Sequence, residues 1–431
     1  MALTASYPGY RSLMGICNKL CQDDDHDFGD LPHDSDEEDD FIIDAEPQYR
    51  YHPNNTLNGR PQPIYYPICL GEVLKERYQI EHKLGHGHYC TVWMAHDLRD
   101  KRDVALKIMA TSRHGESLVE HEVGIHDEIR RIPGVASKHL VTYLDTFFVT
   151  TSGRNHRVLV LPLLSPGPWL LEINNMSTAT RVAAAKQLLE ALEALHSVGI
   201  VHRDLSEGNC LWGMAPLHDL PRRSKYDLLH RPVKKPIVFA KPDVLSKPGE
   251  IILPLKVPSH LYTHQFYLGD FNLAMHVDNP VVPMEGFPSP RFCSPDRLHQ
   301  KHPSLGCDMW SYMVIFSQLY LGCPPFGTIF PAGIIEGIIS SLGPLPEEWK
   351  GQYIDPEKAC DWWYDPHTEP DPKEDLALLI KERKPDVDEE ERELVLSIMK
   401  KVFRYRPEER MTASELLQDS EFRALMQRYG C

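Results

Sequence analysis

The sequence predicts an α+β protein, its strands gathered before about residue 165 and its helices filling most of the remaining chain. Two patterns carry this. Strand-like runs at Tyr78–Leu84, Val92–His96, Val104–Lys107, Leu140–Thr150 and His156–Leu161 are broken by one helical segment, Glu116–Arg131. Then, from Thr180 to His196, Val182, Ala185, Leu188, Leu189, Leu192 and Leu195 recur at spacings of three and four, the signature of a helix with one apolar side.

At 431 residues the chain has room for one large domain in two parts plus unstructured ends, or for two ordinary domains, and a hydrophobic content of 42% supports a real core. No uninterrupted apolar run is long enough to span a bilayer. The opening Met1-Ala-Leu-Thr-Ala-Ser-Tyr7 lacks a basic region followed by an apolar core, so no secretory signal is expected. Ten cysteines occur singly, without C-x-x-C spacing, and Cys17 and Cys21 lack a second pair that would make them metal ligands. A reduced intracellular protein, cytoplasmic or nuclear, is the expectation.

The net charge of −16 is uneven: 13 acidic residues and no Lys or Arg lie between Asp23 and Glu46. Residues 1–60 therefore read as a disordered acidic tail, too self-repelling and too poor in apolar residues to offset ordering entropy. It is either a solvated segment or a docking tail for basic partners, with Ser35 in Asp34-Ser-Asp-Glu-Glu-Asp39 open to modification.

Residues 61–164 form the strand-rich part. In Leu84-Gly-His-Gly-His-Tyr-Cys-Thr-Val92, Gly85 and Gly87 join two strands by a turn whose backbone N–H groups can fold over phosphates unobstructed. A lone Gly-x-Gly also makes a plain tight hairpin. Val104-Ala-Leu-Lys107 then places a lysine on an apolar strand, where an ammonium needs a counter-charge. Glu122, on the following helix, is the expected partner, with Glu128 the second candidate. Pro133-Gly134 ends that helix, and Pro162–Pro168 reads as a hinge.

Residues 165–425 form the helical part. Its first long helix stops at Gly199 and feeds Ile200-Val-His-Arg-Asp-Leu-Ser-Glu-Gly-Asn209. A carboxylate at Asp204 followed five residues later by an amide at Asn209 suits phosphoryl transfer: one orients an attacking hydroxyl, the other holds a divalent cation on the phosphates. Residues 213–260 read as an irregular, basic, mobile insertion carrying Arg222-Arg-Ser-Lys225 and Arg231-Pro-Val-Lys-Lys-Pro236. It is either a solvated loop or a surface for an acidic partner, the tail included. After it, Asp270-Phe271 supplies a carboxylate that could join Asn209 on the cation, and Asn272 is the residue most tolerant of positive φ after glycine. Ser294-Pro-Asp296 closes the next segment, with Arg410 the expected partner of Asp296.

These motifs, from about 65 to 425, resemble the eukaryotic protein kinases. Tyr66-Pro-Ile-x-x-Gly-Glu72 and Leu-Gly-His-Gly-His-Tyr-Cys-Thr-Val-Trp93 look most like the SR-protein-specific branch, which also lacks the third glycine, spaces its helix glutamate as Glu122 is spaced from Lys107, and carries an insertion between Asn209 and Asp270. The resemblance implies a two-lobed protein-kinase fold, ATP, Mg²⁺ and serine/threonine phosphorylation. Leu84, Gly85, Gly87, Val92, Ala105, Lys107 and Leu161 would surround the nucleotide. Lys107 would pair with Glu122, Asn209 and Asp270 would bind Mg²⁺, and Asp204 would be the catalytic carboxylate. A monomer acting on a protein substrate, Arg/Ser-rich in this branch, is expected, with no direct nucleic acid and no membrane. Three residues depart from the pattern: Ser206 replaces a lysine, Asn272 a glycine, and Cys293 an arginine. They motivate the alternative, a pseudokinase that binds nucleotide or only scaffolds.

Overall fold

The computed structural model describes Phe28, residues 56–57 and 60–61, and residues 65–431 except 88, 112–114, 135–138, 152, 167–172, 237–248, 280–288 and 328–332. Most of the predicted acidic tail and part of the predicted hinge thus lie outside the described residues. The chain forms two compact units, one of Met1–Val119, Tyr143–Leu164 and Met214–Tyr262, the other of Glu120–Thr142, Ser165–Gly213 and Thr263–Cys431.

The first unit is built on six antiparallel strands: β1 (Val73–Leu74), β2 (Tyr78–Gly87), β3 (Cys90–Asp97), β4 (Arg102–Met109), β5 (Asp145–Thr151) and β6 (Arg154–Pro162), in the order β1-β2-β3-β4-β6-β5. Alternation assigns their faces. Trp93, Ala95, Val104, Leu106 and Ile108 join one buried cluster with Tyr66, Ile68 and Leu70. Leu84, Met94 and Ala105 join another, whose other members come from further along the chain: Leu217, Leu220, Leu229, Leu255, Val257 and Leu261. Both faces are covered, which is why Val104-Ala-Leu-Lys-Ile-Met109 is nearly continuous in apolar residues rather than alternating with polar ones.

The insertion, expected to be irregular and mobile, therefore packs into this unit where it is described. Within it are a helix, Arg222–Leu229, and a strand pair, Lys234–Pro236 with Glu250–Ile252. Its backbone is tied to the strand-rich part by Leu255 N donating to Lys83 O at 2.8 Å and Glu250 N to Ile68 O at 2.7 Å. The basic residues that suggested a surface patch are partly consumed inward. Lys225 Nζ lies 2.9 Å from Glu81 Oε2 and 2.6 Å from Asp103 Oδ1, with side-chain exposures of 3%, 6% and 3%. Asp103 also meets His96 Nδ1 at 2.8 Å.

The second unit is mostly helical. Following Gly115–Ile129 (α1), which belongs to this unit from Glu120 onward, its frame is Thr178–Ser197 (α2) and Leu305–Leu321 (α3). Leu118 and Val119 of the predicted apolar side lie where no side chain is described. Ser177 caps α2, its Oγ accepting from Thr180 N at 3.1 Å. Helix α3 is buried almost all round, from Cys307 through Leu321, as befits a core helix. It ends on Gly322 at φ 77°, where a Cβ would lie 2.1 Å from Asn174 Oδ1. Of the predicted pairs, Arg410–Asp296 is present: Arg410 Nη2 donates to Asp296 Oδ1 at 2.6 Å with both side chains fully buried. Arg410 also donates to the carbonyls of Gly306, Arg404 and Tyr405. Among the described residues no helix is long and apolar enough to cross a membrane.

Lys225→Met would strand two buried carboxylates without their ammonium. Urea denaturation should show a loss of about 3–5 kcal/mol, the range for breaking a buried ion pair. A loss below about 1 kcal/mol would mean that the insertion helix is not fastened to the sheet by this triad.

Candidate active site

In the first unit, strands β2 and β3 close the glycine hairpin, with Gly85 opposite Val92 and Gly87 opposite Cys90, and a register irregularity falls between Lys83 and Gly85. A Cβ added at Gly85 would meet nothing within 4 Å, and its φ lies outside the left-handed range. Neither backbone strain nor the surrounding protein demands glycine there. What glycine leaves is open space over the hairpin backbone, the kind of cradle a phosphate needs. Lys107 sits at the centre of the sheet, paired in register with Val92 and Leu159 and only 5% exposed. By alternation it shares the Ala105 face of β4. On that face Leu84, Ala105 and the half-buried Val92 and Leu161 belong to one apolar cluster, so four of the residues named from sequence are brought together.

In the second unit, the loop after α2 is held from below by one carboxylate. Asp308 Oδ2 accepts from His202 N at 2.7 Å, and Oδ1 accepts from Arg203 N at 2.9 Å. His196 Nε2 lies 3.0 Å from the same Oδ2. Arg203 takes φ 70°, a strained conformation for a non-glycine residue that these bonds hold in place. His202 is fully buried, and its tautomer follows from its neighbours: Nδ1 accepts from Asp204 N at 3.3 Å, leaving Nε2–H to donate to Gly269 O at 3.0 Å. The histidine thus links the loop bearing Asp204 to the strand end bearing Asp270.

Asn209 completes the link. Its Nδ2 donates to Asp204 O at 2.8 Å and Asp204 Oδ2 at 2.9 Å, and its carbonyl accepts from Gly269 N at 2.9 Å. With Nδ2 committed, Oδ1 is the atom that Asn209 can present to a cation. Together with the Asp270 carboxylate it gives the hard oxygen donors that Mg²⁺ prefers, so the residues fit the ion. Burial raises the Asp204 pKa above the ordinary carboxylate range. The Asn209 hydrogen bond opposes that shift, and the charge of Asp270 reinforces it.

The Asp270-Phe271-Asn272 turn differs from the sequence expectation. Positive φ falls on Asp270 (59°), and Asn272 is not among the residues that adopt it. Asparagine therefore replaces glycine here without left-handed strain, although its Oδ1 is buried without a hydrogen-bond partner among the described residues. Phe271 is fully buried between two histidines, His202 at 5.4 Å and His126 at 5.3 Å between ring centroids, the latter edge-on at 90°. His126 Nε2 is also 3.8 Å from Glu122 Oε1, one helical turn back on α1. The two candidate carboxylates of that helix separate clearly. Glu122 is 1% exposed, whereas Glu128 is half-exposed and meets His276 Nε2 at 2.6 Å.

Sequence reading missed His126 and the anchoring role of Asp308. The first was detectable as the residue four positions after Glu122, the second only as an acid opening a buried helix. Cys293 is buried with Sγ donating to Ser294 O at 3.7 Å, and burial pushes its thiol far above the usual range, so it is a packed, inert thiol. Asp308→Asn removes the charge that receives the His202 and Arg203 amides. Each such bond is worth roughly 1.5–3 kcal/mol, so hydrogen exchange at those two amides should accelerate by about a hundredfold. Unchanged exchange would show that the loop is held elsewhere.

A protein kinase domain family model matches residues 78–218 and 260–422, well over half of the chain, with most of the insertion falling in the gap. The chain is 32% identical to the serine/threonine-protein kinase spk-1 of Caenorhabditis elegans over 158 residues, 35% of this chain and 16% of that one. It is 34% identical to the protein kinase dsk1 of Schizosaccharomyces pombe over 155 residues, 34% of this chain and 28% of that one. To SRSF protein kinase 3 of Homo sapiens it is 29% identical over 154 residues, 34% of this chain and 27% of that one. The matches thus span under a third of each relative's own length. With a six-stranded antiparallel unit and a helical unit as the two lobes of that fold, the chain belongs to the protein kinase domain family.

Proposed function

We propose that the chain is an ATP-dependent serine/threonine protein kinase of the SR-protein kinase type, acting in the cytoplasm or nucleus on Arg/Ser-rich protein substrates. The observation that carries this is the joined set Asp204, Asn209 and Asp270. One amide nitrogen orients the Asp204 carboxylate, and one main-chain bond fixes the spacing of the two metal-binding residues. The resemblance to relatives named as SR-type and serine/threonine kinases supports the substrate class.

In this reading the substrate hydroxyl approaches Asp204, which accepts its proton as the oxygen bonds to the γ-phosphorus and the bond to the ADP oxygen breaks. Mg²⁺, when bound at Asn209 and Asp270, neutralises the charge on the β- and γ-phosphates. Lys107 holds the α- and β-phosphates with Glu122 as its counter-charge, an assignment supported by their spacing in sequence. The Gly85–Gly87 hairpin supplies backbone donors, and Leu84, Val92, Ala105 and Leu161 offer the apolar surface for adenine. The protein's contribution is positioning and charge stabilisation rather than covalent chemistry.

Transfer of ³²P from [γ-³²P]ATP by the purified chain should favour an Arg/Ser-repeat peptide over a generic basic protein, and Asp204→Ala should lower it by about 10²–10⁴-fold. No transfer, with Mg-ATP still raising the melting temperature, would replace this reading with a nucleotide-binding pseudokinase.

The pH profile gives a separate check. Asp204 must be ionised to accept the proton, so activity falls as pH drops through its raised pKa. The acid limb of kcat/KM should lie above the ordinary carboxylate value of about 4. Asn209→Ala removes a hydrogen bond that favours the ionised form and should move the limb higher still. A limb at or below about 4 would rule out Asp204 as the titrating group.

A further inference from the structure

Phe28 stands in the acidic stretch Asp23-Asp-Asp-His-Asp-Phe-Gly-Asp30, a sequence with no reason of its own to meet a folded surface. Yet its ring is half-buried and packs on the cluster formed by Tyr66, Ile68 and Leu70. Two stretches distant in sequence build its seat. Gly71, at φ 81°, forms the floor: a Cβ at that position would lie 2.5 Å from the Phe28 ring, so any side chain there would collide with it. The Arg222 guanidinium, on the insertion helix, lies 4.0 Å over the ring centroid, a cation–π contact. Arg222 is itself buried and oriented by a 3.0 Å hydrogen bond from Nη2 to Gln79 Oε1 on β2.

We propose that Gly71 and Arg222 form a docking site for the chain's own acidic N-terminal segment, with Phe28 as the key. The chemistry is selective. The site takes a flat aromatic ring, because glycine leaves room for one and a guanidinium rests on its face. It favours a segment with carboxylates on either side, because Arg222 and the exposed Arg223 stand at the start of the insertion helix. The occupant fastens the tail to the same helix that Lys225 fastens to β2. This docking is independent of the catalytic assignment.

The test uses the full chain and a fluorescein-labelled peptide of residues 20–35. In the Phe28→Ala chain the seat is vacated, and the peptide should bind at least tenfold more tightly than it binds the unaltered chain. The same peptide carrying Phe28→Ala should lose at least tenfold, and adding Arg222→Gln to the Phe28→Ala chain should weaken binding severalfold. A second measurement needs no variant: chymotrypsin should cut after Phe28 at least tenfold more slowly in the unaltered chain than in the free peptide. Equal peptide binding to both chains, binding that survives loss of the peptide's aromatic ring, or cleavage after Phe28 as fast as in the peptide would overturn the proposal. A dimer in sedimentation that Phe28→Ala dissociates would also overturn it, by assigning the seat to a second copy's segment.

Discussion

A single buried carboxylate organises the candidate active site of the helical unit. Asp308 is 1% exposed, and a charge in that position is tolerated only when its lone pairs are satisfied. The satisfying groups are the main-chain N–H groups of His202 and Arg203 and the ring of His196. Because both amides point at one side chain, the loop cannot relax Arg203 out of its left-handed conformation without giving up the bond to Asp308 Oδ1. The rest of the centre depends on that anchor. His202 is fixed in tautomer and direction, Gly269 is tied to it, and Asp204 and Asp270 are held in register through Asn209. The loop bearing Asp204 is held in place because a desolvated charge on another helix needs its backbone.

The strand-rich unit answers a different constraint. An antiparallel sheet with one wet face would expose Leu84, Met94 and Ala105, and with them the face that carries Lys107. Leucines of the insertion pack into one cluster with Leu84, Met94 and Ala105 while Val92 and Leu161 stay half-buried, and its Lys225 compensates Glu81 and Asp103. This explains why the insertion is basic: part of its charge is internal. A stretch that looks like a loop interrupting a domain is in this case part of its wall.

Two of the three residues that depart from the family's pattern, Asn272 and Cys293, are less disruptive in place than in sequence. Asn272 does not occupy the left-handed backbone that glycine would serve, since Asp270 does. Cys293 lies inside the packing rather than on a face. The segment around it is still clamped, by Ser311 Oγ donating to Phe292 O at 2.7 Å and by the Arg410–Asp296 pair. Beside that pair Gly306 leaves room for the Pro407 carbonyl, which lies 2.6 Å from where a Cβ would be, and its own carbonyl accepts from Arg410 Nη1.

The sequence by itself determined what repeats or is chemically singular. The alternation of β2, the short apolar runs of β3, β4 and β6, the apolar period of α2, the spacing of Asp204 to Asn209 and the Asp296–Arg410 pair are all legible because each depends on a local pattern or on a charge that must find its opposite. Tertiary structure alone decided the rest. No period announces that Lys225 is buried, that Glu122 and not Glu128 lies inside, or that Phe28 leaves an acidic tail for a seat on Gly71 and Arg222. Each of these depends on which distant residues arrive at one point, and burial is a property of the assembled surface, not of the segment that supplies the side chain.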